Sequence, residues 1–458
     1  MMALVRKNSQ HKITITDVTN KGFGVGKVDG FTIFAEGALP GEEIIVHIVK
    51  VKPSYAYGKI LKILTPSVNR IKSPCPVSDK CGGCQWLFCN YGATLEFKTK
   101  TVSEAIKRIG QIQDPPVTDC IGMENPLRYR NKAVFPVVPY PTEGGFAIGM
   151  YAPRSHRLTP VTDCLLQHEA HIEILDTLQK RMMSYKISAY DEKTGRGLMR
   201  FIVIRTSFST GEVMVVLVIN GKKLPMEKEL AESFQALGVA TILVNENTAS
   251  GNTIFGNSFR TLTGSGFITE SLDSVLYRIS PRSFFQVNPV QAKLLYDIAI
   301  KQADLDRAKL VLDAHVGAGG VLLYAAKKMA QSNTRFVGVD IVQEAIDDAK
   351  HNAALNGVAN ADFICGAAED EVANIMKTRP PDTIFLDPPR KGCGKPLLNA
   401  IISAAVKQVV YISCDPSTLA RDLKLLHEGG YKLVEAQPVD MFPFTGKVEV
   451  TCRLVHNG

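Results

Sequence analysis

Long apolar runs are missing from this chain. The longest, Val213 to Ile219, falls far short of the roughly 18 residues that a membrane-crossing helix needs, and Met1 to Gln10 has no apolar core like that of a secretory signal. These absences argue against a membrane partner and against export, so the expected location is cytoplasmic. Internal repeats and low-complexity tracts are lacking too, which sets aside solenoids and biased linkers. With 45% hydrophobic and 21% charged residues the composition is that of a folded soluble chain, and long disorder is not expected. The 10 cysteines, without a secretory signal, do not describe a disulfide scaffold; clustered thiols in a reducing compartment more often bind metal or catalyse.

A length of 458 residues exceeds one ordinary core and predicts two to three domains, with a monomer as the default state. The formal charge of +8 is unevenly spread: residues 1–72 hold 11 Lys and Arg against 5 Asp and Glu. That asymmetry points to a polyanionic partner met by the N-terminal module, although a solvated basic surface explains the charge equally well if it stands alone.

Residues 12–64 alternate short β-branched runs, such as Ile13 to Thr16 and Glu43 to Val49, with glycine turns, of which Gly22-Phe23-Gly24-Val25-Gly26 is the clearest. This pattern predicts a small β-barrel. From Cys75 to about Asp273, strand patterns (Phe201 to Arg205, Val213 to Ile219) mix with helical stretches such as Ile172 to Met183, giving an α+β central domain interrupted by a cysteine segment. Beyond residue 275 a strand, turn and helix cycle repeats, with apolar strands at Leu310–Asp313, Phe336–Asp340, Thr383–Asp387 and Val409–Ser413. Continuous apolar strands joined by helices predict a buried parallel sheet, and hence an α/β, Rossmann-like C-terminal domain. The expected boundaries are 1–66, 67–274 and 275–458.

Motifs gather at the ends of those strands. Gly317-Ala318-Gly319 follows the strand ending at Asp313 and opens a helix, which directs backbone N–H groups at a bound ligand. Asp340 stands near the offset of about 20 residues at which an acidic side chain meets ribose hydroxyls. A dinucleotide fingerprint wants a third glycine where this chain has Leu322, so a pyrophosphate is disfavoured. Cys414 lies in Tyr411-Ile412-Ser413-Cys414-Asp415-Pro416-Ser417, at a strand end, and a helix N-terminus following a thiol can lower its pKa. Asp387-Pro388-Pro389-Arg390 forms a proline-stiffened turn, and Glu449 lies between Val448 and Val450 near the C-terminus.

Together with Ser283-Phe284-Phe285-Gln286-Val287-Asn288-Pro289, these motifs resemble those of the S-adenosylmethionine-dependent RNA (uracil-5-)-methyltransferases. The N-terminal wording Gly-Val-Gly-Lys-Val-Asp-Gly, followed by Ala38-Leu39-Pro40-Gly41-Glu42, is similar to a TRAM domain, an OB-like RNA-binding barrel. The resemblance implies that Cys414 is a nucleophile and that Glu449 removes a proton. It further implies that Gln286, His315, Gly317, Gly319, Asp340 and Asp387 serve S-adenosylmethionine or the uracil edge. His315 departs from the family, which usually has an aromatic ring there, and Lys447 and Phe444 replace frequent histidines. Asp-Pro-Pro is also similar to the motif of amino-group methyltransferases, but Arg390 stands where their stacking aromatic belongs.

Cys75-x5-Cys81-Gly-Gly-Cys84 brings three thiols together, and three ligands want a fourth. By resemblance to the family's 23S rRNA members the fourth is Cys164 and the group a 4Fe-4S cluster. Spacing alone also admits zinc, and Cys89 competes as a ligand. Cys120, Cys365, Cys393 and Cys452 are read as structural. The expected function is therefore methylation of uridine C5 in RNA, 23S rRNA foremost. The alternatives are the same reaction on tRNA, or an RNA-binding or ribosome-assembly protein with weakened catalysis.

Overall fold

Alternating side chains in the first 65 residues drive a closed barrel in the computed structural model, which describes residues 5–142, 144–161, 163–330 and 332–457. Its strands are β1 (Gln10–Val18), β2 (Phe23–Val28), β3 (Phe31–Glu36), β4 (Glu43–Val51) and β5 (Tyr55–Thr65), in the order β1-β2-β3-β5-β4. Ile13, Ile15, Ile33, Ile44, Val46 and Ile48 fill it. One expectation needs correcting: of the run Gly22 to Gly26 only Gly22 belongs to a turn, donating to Thr19 O at 2.9 Å, because Phe23 to Val28 pair with β1 and β3. The glycines serve close packing there, since a Cβ on Gly24 would lie 2.7 Å from Ala38 Cβ and one on Gly26 2.8 Å from Thr14 O.

The central sheet has seven strands: β6 (Lys132–Pro139), β7 (Phe146–Tyr151), β8 (Leu158–Pro160), β9 (Met199–Thr206), β10 (Val213–Ile219), β11 (Thr241–Glu246) and β12 (Ser258–Thr263). The apolar run Val213 to Ile219 is buried on both faces, as a strand in the middle of a covered sheet must be. One face carries α2 (Ala170–Ser184) and α3 (Glu227–Gln235). Against the other pack the hairpin β13 (Ile268–Leu272) and β14 (Val275–Ile279), together with Phe285.

The C-terminal sheet is also seven-stranded, in the order β17-β16-β15-β18-β19-β21-β20. Parallel strands β15 (Leu310–Asp313), β16 (Arg335–Asp340), β17 (Ala361–Cys365), β18 (Thr383–Leu386) and β19 (Gln408–Ser413) form one part. The antiparallel pair β20 (Tyr431–Val439) and β21 (Glu449–His456) closes the edge. Alternate strand residues feed two cores. Val311, Phe385 and Val410 meet α4 (Pro289–Ala303), α5 (Gly320–Lys328) and α6 (Gln343–Leu355). Leu312, Ile384 and Val409 meet α7 (Ala368–Thr378), α8 (Lys395–Ser403) and α9 (Pro416–Glu428).

Helix α1 (Tyr91–Arg108) precedes the central sheet in sequence yet belongs physically to this second core, where Val102 and Ile106 are fully buried. Val117 and Ile121 then run parallel to β20, bridging to Ala436 and Val439.

Candidate active site

Strand order reverses between β15 and β18, and at such a point the connections leave in opposite directions and open a crevice at the carboxyl edge. Asp313 ends β15, Asp340 ends β16, Asp387 follows β18 and Cys414 follows β19. Because β21 runs the other way, its first residue, Glu449, arrives at that same edge, beside the rung that pairs Ser413 with Val450. The antiparallel reversal thus brings a second carboxylate next to the thiol.

On the β15 side, Gly319 caps α5 at φ +93°, and a Cβ there would lie 2.4 Å from Leu323 Cδ1. Gly317, at φ +52°, faces open space. Asp340 accepts from Gly317 N at 3.0 Å and from Val342 N at 2.9 Å, so it shapes the turn while each carboxylate oxygen keeps acceptor capacity. Asp313 accepts from His315 N at 3.0 Å. Nδ1 of His315 is buried without a hydrogen-bond partner, and burial pushes the imidazole down to about 4, so a neutral ring with an unused polar atom stands two residues after the end of β15. An open glycine, a shaped acidic turn and an orphaned ring nitrogen fit a polar, uncharged-faced ligand such as the adenosyl part of S-adenosylmethionine.

The charges at the floor repel one another. Burial pushes Asp313 up to about 8 and Asp387 up to about 7, and it holds Glu449 well above the usual carboxylate range, with Asp387 adding to that rise. Cys414 is pushed up to about 11 by burial first and by Glu449 and Asp387 next, against a lowering influence from Arg390. The helix that follows it is capped by Asp415, which accepts from Ser417 N at 2.9 Å and Thr418 N at 3.2 Å. Those N–H groups are therefore spent on the cap, and burial outweighs the expected lowering of the thiol.

Gln286 is buried on a loop that the central domain holds. Asn131 donates through Nδ2 to Gln286 O at 3.0 Å and through its backbone to Val287 O at 2.8 Å, and Arg205 donates to Ser283 O at 2.6 Å. Phe284, on this loop, is 72% exposed, so the large apolar ring faces outward rather than into a core. Two participants escaped the sequence reading. Tyr296 lies within electrostatic reach of Asp387, Asp313 and Glu449, and its hydroxyl is why position 320 is glycine, where a Cβ would approach it to 2.7 Å. On α4 it shares a helical face with Ala292 and Ala299, which reads only as core. Arg130 was missed because no motif surrounds it; it acts electrostatically on Lys447, Cys84 and Cys164.

The cysteine segment converges in space. Cys75, Cys81, Cys84 and Cys164 line one cavity of about 370 Å³, with Arg130 and Lys132 on its wall. Arg128 holds the Cys164 loop through Asp163 at 2.6 Å and Cys164 O at 2.9 Å. Burial raises Cys84 to about 12, and the other three thiols add to the rise, as crowded sulfurs do until a cation neutralises them. The donor set suits an iron-sulfur cluster or zinc, although among the described residues no three such groups stand at metal-binding spacing. Cys89 is buried elsewhere, beside Trp86. Of the cysteines read as structural, Cys120, Cys393 and Cys452 are buried and Cys365 is exposed.

Comparison with known proteins agrees with this geometry. A family model described as tRNA (Uracil-5-)-methyltransferase matches residues 260–457, and the TRAM domain model matches residues 5–61. An uncharacterized RNA methyltransferase of Clostridium tetani is 43% identical over 99% of this chain and 98% of its own length. One from Halalkalibacterium halodurans is 42% identical over 98% and 97%. The crystal structure of Pyrococcus abyssi tRNA (uracil-54, C5)-methyltransferase in complex with S-adenosyl-L-homocysteine superposes with a TM-score of 0.79 at 27% identity, covering 97% of this chain and 99% of that one.

Proposed function

Since this chain belongs to the TRAM-containing RNA (uracil-5-)-methyltransferase family and is an S-adenosylmethionine-dependent RNA methyltransferase, we propose that it methylates C5 of a uridine in 23S rRNA through a transient Cys414 adduct. One observation carries the reading: a thiol and a buried carboxylate reach the same sheet edge from adjacent, oppositely directed strands.

Uracil C5 is a poor nucleophile until a thiolate adds to C6. The Cys414 Sγ–C6 bond forms, and the C5=C6 electron pair becomes available at C5. S-adenosylmethionine supplies the methyl group as an electrophile when bound, held by Gln286, Asp340, His315 and the Gly317 to Gly319 turn, and Asp387 faces the uracil edge. Glu449 then takes the proton from C5; the C5–H electron pair restores C5=C6 and expels Cys414 as thiolate. A base whose affinity for protons is raised by burial suits that step. The target base has to leave its stack, which costs a few kcal/mol. Arg390, Lys391 and the basic barrel face hold the phosphates.

Cys75, Cys81, Cys84 and Cys164 hold a 4Fe-4S cluster in this reading, and its role is to staple the central domain. The TRAM barrel and these four thiols support 23S rRNA as substrate. A tRNA substrate is the second reading, favoured by the Pyrococcus abyssi enzyme, which acts on tRNA and matches over 97% of this chain. Methylation of rRNA and tRNA transcripts side by side separates them, and label confined to tRNA overturns the rRNA assignment.

The chemistry is tested with 5-fluorouridine-containing RNA, in which fluorine blocks proton removal and traps the adduct. Wild type is expected to form a covalent complex, and Cys414→Ala to bind RNA without forming one. An adduct that persists in Cys414→Ala sinks the proposal. Absence of calorimetric S-adenosylmethionine binding at millimolar concentration would instead favour a binding protein.

A further inference from the structure

Residues 440–448, the connection that delivers Glu449, are gripped from four directions. Helix α1 supplies Lys98, ion-paired with Asp440 and donating to Phe442 O at 3.0 Å, and Tyr91, whose hydroxyl donates to Asp440 at 2.9 Å. Helix α4 supplies Gln291, donating to Asp440 O at 3.2 Å, and its N-cap Asn288 donates to Met441 O at 3.1 Å. From the cysteine segment, the consecutive N–H groups of Gln85 and Trp86 both donate to Phe444 O at 3.0 Å. The barrel closes the fourth side: a Cβ on Gly446 would lie 2.1 Å from Asn20 O, so the two backbones touch. Phe444 sits at φ +61°, a conformation an L-residue keeps only when its surroundings hold it there.

Gln85 is the residue common to these contacts. Its Nε2 donates to Gly82 O at 3.2 Å inside the Cys81-Gly-Gly-Cys84 loop, which orients the amide so that Oε1 accepts from Gly446 N at 3.3 Å. Its Cβ packs against Gly22 of the barrel, where a glycine Cβ would intrude to 2.5 Å. One side chain therefore touches the barrel, the cysteine loop and the segment leading into Glu449.

We infer that Gln85 is a positioning residue for proton removal: by tying Gly82, Gly22 and Gly446 together it sets how Glu449 approaches C5, so that this step depends on the seating of the barrel and the cysteine loop. The inference rests on the reaction proposed above. Cys414 enters from the turn between β19 and α9, and among the described residues Gln85 makes no hydrogen bond to either element, so its loss bears first on Glu449 and reaches the thiol only through Glu449's charge.

The test separates the steps. Trapping on 5-fluorouridine RNA reports attack and methyl transfer alone, whereas turnover on ordinary RNA also needs the C5 proton to leave. For full-length Gln85→Ala, trapping is expected within about twofold of wild type while turnover falls about tenfold to a hundredfold, the cost of a misplaced catalytic group. With RNA deuterated at uridine C5, the isotope effect on turnover should rise above that of wild type. Gly446→Ala, which displaces the same segment from the barrel side, should give the same signature. Trapping and turnover that fall in parallel in both variants, or turnover and isotope effect that stay unchanged, overturn the inference. Wild type that traps no adduct overturns the underlying reaction as well, and that failure is distinguishable because it appears without any substitution.

Discussion

At Cys414 the reactive form is scarce in the free protein. Burial and two neighbouring carboxyls hold the thiol near about 11, so each pH unit below that removes about nine-tenths of the remaining thiolate. Alkylation of Cys414 by iodoacetamide should therefore climb about tenfold per unit between pH 7 and 10. Asp387 titrates near 7 and is charged above it, so Asp387→Asn should raise alkylation at pH 8.5 by about threefold or more. A rate unchanged or lower would show that Asp387 does not press on the thiol. Asp313, raised to about 8, contributes stability that is fully present below its unfolded pKa and lost as pH rises through 8. Asp313→Asn, which still offers an oxygen to His315 N, should therefore raise the melting temperature at pH 8 more than at pH 4. Cys414 and Asp387 were legible in the sequence because each follows the end of an apolar strand, and Glu449 because it stands between Val448 and Val450 where the last strand begins. Gln85 and Arg130 were not, because Gly446 and Lys447, through which they bear on the Glu449 segment, lie hundreds of residues away, and Tyr296 was not because its helical face reads as core.

Among the elements, α1 shows how far sequence order departs from packing. Its apolar face lies against α9 and β20, and its Lys98 is 1% exposed beside a fully buried Asp440. Removing one member of such a pair strands the other charge, so Lys98→Ala should cost about 3–5 kcal/mol in urea unfolding. The Lys98→Ala, Asp440→Ala double variant should recover part of that loss, and additive losses would show the pair is not coupled. Strands β15, β16, β18 and β19 and helix α5 were readable almost to the residue, since continuous apolar runs flanked by polar turns admit little else, whereas the antiparallel β20 and β21 departed from the parallel sheet expected. The assignment of α1 to the C-terminal core was hidden, because its amphipathic pattern says only that one face is covered. The strand Phe23–Val28 was hidden for the opposite reason: glycines that permit close backbone approach also signal turns.

Across the whole molecule, basic residues are in excess in the N-terminal segment, 11 Lys and Arg against 5 Asp and Glu in residues 1–72, while Asp313, Asp387 and Glu449 gather at the carboxyl edge of the C-terminal sheet. Lys59 and Lys62, both exposed on β5, should each contribute to phosphate contact. Changing both to serine is expected to flatten the log–log salt dependence of RNA affinity by about one unit per lysine. A slope that does not change would place the RNA on another face. A barrel, an α+β sheet and a doubly covered, largely parallel sheet were legible from composition and pattern. Their convergence on residues 440–446 was not, as it exists only in three dimensions.

That convergence also sets a timetable for biogenesis. Tyr91 and its partner Asp440 are 349 positions apart. At translation rates of about 5–20 residues per second, the N-terminal modules wait roughly 20–70 s for the segment they are built to hold. The 370 Å³ cavity of the four thiols is lined only by residues between Cys75 and Val287, so its wall is made before the segment that carries Asp440, and the grip on that segment is the last part of the fold to close.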